Sequence, residues 1–180
     1  MSGAGMEIER KYLIEYPDVK ALAAMPDCVV WEIEQTYLRA PHGETRRVRR
    51  VVENKRVTYT RTFKRRVDAM SCVEDEIEID RDAYDALLID RDDARNVVQK
   101  TRYRIPYLGQ LIEVDVYPFW TDRAICEIEL PDEETPARLP PWLSLITEVT
   151  GDRAYSNAEL ARSVPRFALT KRKVYDIMEP

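Results

Sequence analysis

The sequence predicts an α+β fold dominated by β-structure: an eight-stranded antiparallel barrel closed into a tunnel, with helices packed outside and at the C-terminal end. Three observations carry this. Eight segments alternate side-chain character with the two-residue period of a strand. Most are joined by short turns, which antiparallel neighbours allow. The helical segments between them are too few and too short for the crossovers of a parallel sheet.

The elements follow in order. Strands are expected near 6–14, 30–39, 45–52, 57–65, 72–79, 96–105, 110–117 and 123–130. "PDVKALAAM" (17–25) reads as a short helix opened by Pro17, and "DRDAYDALLID" (80–90) as another with an Asp cap and an apolar side at Leu87–Leu88. "LPPWLSLITEVTG" (139–151) is expected to be a helix started by proline and stopped by Gly151. "SNAELARSV" (156–164) reads as a capped helical turn and "RFALTKRKVYDIM" (166–178) as a basic terminal helix.

At 180 residues the chain fits one domain, 1–180, with residues 1–5 (MSGAG) as a flexible leader and 163–180 as a helical extension. The net charge of −5 argues against a general nucleic-acid binder. No apolar run approaches the roughly 20 residues that span a bilayer, and no secretory start is present. Cys28, Cys72 and Cys126 are far apart without a CxxC, which suits a reducing cytoplasm and gives no zinc site. A single histidine, His42, excludes His-rich metal sites and argues against Ser-His-Asp chemistry. Any metal would be a hard cation held by oxygen. Oligomeric state is open between monomer and homodimer.

The alternation has an unusual content. In "MEIERKYLI", Glu7, Glu9 and Lys11 share one strand face. "TRRVRRV" groups Arg47 and Arg49; "VTYTRTFK" groups Thr58, Thr60, Thr62 and Lys64; "CVEDEIEI" groups Glu74, Glu76 and Glu78. "QKTRYRI" groups Lys100, Arg102 and Arg104; "QLIEVDVY" groups Glu113 and Asp115; "AICEIEL" groups Glu127 and Glu129. Seven of the eight strands carry a charged face opposite an apolar one. The helices need the apolar face to pack on, so the charged face of a closed sheet points inward. Like charges on one strand face stand only about 7 Å apart, which requires counter-charges across the interior.

Converging bases suit a polyanion, and carboxylates beside them suit divalent cations. A linear phosphate chain with Mg²⁺ or Mn²⁺ satisfies both sets. GxxxxGK[ST] is absent and only five glycines are present, so side chains must grip the phosphates.

"EIERKYL" resembles the E-x-E-x-K signature that opens the CYTH superfamily, the triphosphate tunnel metalloenzymes. The resemblance runs in order over roughly residues 6–162, through "QTYLR", "RRVRR", "TYTRTFK", "EDEIEI", "QKTRYRI", "IEVDVY", "CEIEL" and "EVTGDRAYSNAELA". It implies an eight-stranded antiparallel tunnel and hydrolysis of a small-molecule triphosphate. Glu7, Glu9, Asp115, Glu127 and Glu129 would bind metal. Lys11, Arg47, Arg49, Lys64, Lys100 and Arg102 would hold phosphate oxygens. Glu76, orienting water, and Lys11 are the expected catalytic groups. One departure is Cys72, where many bacterial relatives carry arginine.

Other residues have plainer readings. Arg104 and Glu78, near strand ends, read equally as solvated pairs or as ligand contacts, Glu74 and Glu113 as groups that orient bases or touch ligand themselves, and Tyr37 equally as packing or as part of the site. Arg46, Arg50, Arg65 and Arg66 read as exterior or loop charges, His42 as a solvated turn residue, and Lys171-Arg172-Lys173 as a wet helix face. Inorganic triphosphate is the expected substrate, since no aromatic clamp for an organic tail is evident. Alternatives from the same superfamily are a class IV adenylate cyclase and an RNA 5′-triphosphatase; a binding protein without turnover is the third.

Overall fold

The computed structural model describes residues 5–67 and 71–164. Among the described residues there are nine strands: β1 (Gly5–Glu15), β2 (Val29–Leu38), β3 (Glu44–Glu53), β4 (Arg56–Arg66), β5 (Ser71–Ile79), β6 (Val98–Tyr107), β7 (Gln110–Val116), β8 (Arg123–Glu129) and β9 (Leu145–Glu148). The helices are α1 (Val19–Ala23), α2 (Arg81–Leu87) and α3 (Asn157–Leu160).

Local chemistry explains these elements. Asp18 accepts from the amides of Lys20 and Ala21 to open α1, Asp80 caps α2 through Ala83, and Ser156 caps α3 through Glu159. Two hairpins turn on two residues each. Asn54–Lys55 (φ 47° and 70°) joins β3 to β4, and Leu108–Gly109 (φ 49° and 79°) joins β6 to β7. Positive φ at both central positions matches the strands' own twist.

All pairings are antiparallel, in the order β5-β4-β3-β2-β6-β7-β8-β1-β9, with an additional pairing of β1 to β5 over Gly5–Ile8. Strand β1 is therefore shared. Residues Glu9–Glu15 pair with β8, and Tyr12–Ile14 also pair with β9.

Two expectations are corrected here. The sheet has nine strands instead of eight, and β1 meets β5 over one short stretch, so it is not the seamless closed barrel expected. The extra strand comes from 139–151, which is not a helix. Its β-branched residues Ile146 and Thr147 lie in a strand that pairs with β1 where β5 no longer does. The expected helix at 166–178, with Lys171-Arg172-Lys173, lies outside the described residues. Among the described residues no helix is long and apolar enough to cross a membrane.

Three apolar clusters position the site. Tyr12, Ile14, Ile112, Val114, Cys126 and Ile128 form an outer layer covered by Leu22 of α1 and by Leu139, Trp142 and Leu143. Val48 and Leu38 pack under Tyr84 of α2, whose ring stands 4.8 Å from that of Tyr59. A third cluster, with Leu13, Tyr37, Val98, Tyr117, Ile125 and Leu160, uses residues from the sheet's other face and seals one end of it.

Candidate functional site

The charged face is concave. Arg102 on β6 donates to Glu127 on β8 at 2.5 Å, although β7 lies between those strands. Arg47 on β3 reaches Glu74 on β5 at 3.3 Å across β4. Side chains on non-adjacent strands can touch only if the sheet curls toward their face. Arg47, Arg49, Lys100, Arg102, Asp115 and Glu127 are accordingly buried despite their charge.

One wall, β3–β5, is rich in bases. Lys64 pairs with Glu74 at 2.8 Å, and Arg47 and Arg49 lie 3.8 and 3.7 Å from Glu76. The Thr62 hydroxyl donates to Glu76 at 2.7 Å, fixing that carboxylate between the two guanidiniums. Arg49 also donates to Gln35 (2.9 Å), whose amide donates to the Tyr37 hydroxyl (2.6 Å). Burial, reinforced by Arg47, pushes Arg49 below its ordinary value.

The opposite wall, β1 with β6–β8, is rich in carboxylates. Lys11 lies 2.9 Å from Glu127 and 3.3 Å from Glu9. Burial pushes Lys11 down, but these two carboxylates more than offset it and hold the ammonium above the ordinary lysine value. Asp115 accepts from Lys100 at 2.5 Å and from Arg102 at 2.6 and 2.7 Å. Arg102 also donates to Glu113, so its fork is shared among three carboxylates. Lys100 is pushed down to about 8, first by burial and then by Arg102, which together outweigh Asp115. Glu129 is exposed at the open end and makes no ion pair among the described residues. Burial raises its carboxyl, and Glu113, Glu9 and Glu74 raise it further.

No family model matches the chain. It is 33% identical to the inorganic triphosphatase of Nitrosomonas europaea over 165 residues, covering 88% of this chain and 99% of that protein. The chain belongs to the inorganic triphosphatase family. Another member, from Acetivibrio thermocellus, is 38% identical over 68 residues, covering 37% of this chain and 42% of the relative. A crystal structure of an inorganic triphosphatase superposes with a TM-score of 0.52 at 31% identity, covering 88% of this chain and 96% of that one. A protein of Pyrococcus horikoshii OT3 shares the fold, with a TM-score of 0.55 at 23% identity over 71% of this chain and 80% of that one.

In this family member the expected site residues other than Glu7 gather on the concave face, with distinct surroundings. Lys11, Arg47, Arg49 and Lys64 each meet carboxylates there. Arg102 and Asp115 are paired to one another and to neighbours, and Asp115 anchors two bases, Lys100 and Arg102. The side chains of Glu7 and Cys72 lie outside the described residues. Glu74 and Glu113 each bind two bases. His42 is exposed, and Arg46 and Arg61 flank the exterior ring of Phe63 at 4.9 and 4.1 Å.

Sequence reasoning passed over Gln35, Trp31 and the role of Thr62. Gln35 shares a face with Tyr37 two residues on, and Thr62 with Lys64, which is the alternation signal that places them.

A divalent cation fits one observation here. The carboxylates of Glu9, Glu113 and Glu74 disfavour charge on Glu129, and a cation would reverse that. Among the described residues, however, no three His, Cys, Asp or Glu side chains stand grouped to hold a metal; Lys11 pairs with Glu9 and Glu127, and Arg102 with Glu127.

Proposed function

We propose that the curled sheet works as a tunnel in which inorganic triphosphate is hydrolysed at its terminal phosphoanhydride. The observation that carries this is the meeting of Arg47 and Arg49 with Glu76, and of Lys11 with Glu9 and Glu127, on one concave face. Family membership supports the same reading. Arg47, Arg49 and Lys64 hold phosphate oxygens, the guanidiniums by two-point contact and the ammonium as a point charge. Lys11 stands between Glu9 and Glu127 and holds charge near the phosphate to be transferred. Lys100 and Arg102 set the positive field from behind. Glu76, fixed by Thr62, orients the attacking water. Positioning and electrostatics supply most of the acceleration, since phosphoryl transfer needs little covalent help from the protein.

Glu7, Glu9, Glu127 and Glu129 would hold Mg²⁺ or Mn²⁺, which would neutralise phosphate charge and polarise the anhydride. Lys11, now paired to Glu9 and Glu127, would turn to phosphate as those carboxylates turn to the cation. The three separated cysteines suit a cytoplasmic setting.

The test is orthophosphate release from inorganic triphosphate, ATP and thiamine triphosphate with Mg²⁺ or Mn²⁺. Release from inorganic triphosphate above the other two is expected. Cyclic AMP from ATP with inorganic triphosphate untouched would overturn the reading, as would tight binding without turnover.

A further inference from the structure

We propose that Trp31 and Arg104 form a specificity rim at the open end of the charged cavity, where the protein's own guanidinium occupies the stacking surface that the planar tail of an organic triphosphate would need. The inference rests on the triphosphatase reading and deepens it. The far end is sealed by Leu13, Tyr37, Val98, Tyr117 and Ile125. Along β2 the interior row runs from Tyr37 at that seal through Gln35 and Ile33 to Trp31, and along β6 from Val98 through Lys100 and Arg102 to Arg104. Exposure rises in the same direction, from 0% for the Lys100 side chain to 29% for Arg104. A triphosphate seated among the buried bases would therefore direct any attached group toward Trp31.

The indole is held on two sides. Its Nε1 donates to Glu53 at 2.6 Å, and the Arg104 guanidinium lies 4.0 Å from the ring centroid. Arg104 is in turn pinned by a 2.9 Å hydrogen bond to Glu113, which also binds Arg102. A cation over an indole and a base over an indole are attractions of similar size, so a nucleobase gains little by displacing Arg104. Inorganic triphosphate carries no tail and is indifferent to the rim. Discrimination thus comes from a stacking surface that is already filled.

The experiment compares wild type, Arg104→Ala, Arg104→Lys and the double variant Trp31→Leu/Arg104→Ala. It reads the ratio of kcat/KM for ATP to that for inorganic triphosphate, and calorimetric affinities for both, with Mg²⁺. Arg104→Ala is expected to raise the ATP ratio about tenfold. Arg104→Lys, which keeps a charge for Glu113 but has no planar face, should move it the same way. The double variant should lose the gain. Affinity for inorganic triphosphate should stay within about twofold throughout, which also reports an intact fold. An unchanged ratio in both single variants, or a gain that survives loss of Trp31, overturns the rim proposal while leaving the triphosphatase reading intact. Failure of wild type to bind or cleave inorganic triphosphate overturns both.

Discussion

Lys100 and Asp115 meet at 2.5 Å, and neither side chain has any exposure to solvent. An ion pair so placed is costly to bury and more costly to break. Removing the carboxylate leaves Arg102, which stays charged, without its main acceptor. Asp115→Asn should therefore lower stability by about 3–5 kcal/mol, read as a lower denaturant midpoint at unchanged m. A loss below about 1 kcal/mol would show that Asp115 is dispensable as an anchor.

The depressed Lys100 makes stability depend on pH in a set direction. Its folded value is about 8 against an ordinary 10.5, so between these the unfolded chain binds the extra proton. Stability should then rise with pH above 8, by up to about 1.4 kcal/mol per unit. Lys11 is held above its ordinary value and opposes this only above that value. Cys28 and Cys126, whose thiols burial pushes up from 9.0, oppose it more weakly as pH passes 9. Denaturant titrations from pH 7.5 to about 9.5 should show the rise, and Lys100→Met should flatten it.

Glu9→Gln should weaken the response to added Mg²⁺ and lower turnover by about tenfold or more with the fold kept. Lys64→Ala should act mainly on KM, raising it about tenfold for a lost charge-assisted contact. Steady-state kinetics across Mg²⁺ and triphosphate concentrations separate the two. Wild-type behaviour in both variants contradicts the assignment of these walls.

The bases and carboxylates neutralise one another in this structure, so an anion entering alone strands Glu9 and Glu127 beside Glu129. Triphosphate should bind at least about tenfold more weakly in EDTA than with Mg²⁺, as calorimetry can measure. Equal affinities would mean that binding of the two charges is uncoupled.

The strands were legible because charge and apolar side chains alternate so regularly. All eight expected segments are strands, with ends shifted by no more than two residues. The inward direction of Arg102 and Lys64 was legible too, since helices need the apolar face. What failed was 139–151, where proline and glycine boundaries imitate a helix while the free side of β1 recruits Leu145–Glu148. Neither that recruitment nor the Trp31–Arg104 stack can be read locally, because each depends on residues far apart in the chain.

The segment that replaced the expected helix also holds the Lys11 peptide. The amide of Lys11 donates to the Thr150 hydroxyl at 3.0 Å, and its carbonyl accepts from the Val149 amide at 2.8 Å. Val149 and Thr150 thus brace the backbone of Lys11 more than a hundred residues upstream. Protein engineers trimming this enzyme for fusions or crystallisation should keep Val149 and Thr150 for the Lys11 backbone, and α3 as well, because Leu160 and Ala161 are buried in the cluster with Leu13 and Tyr37.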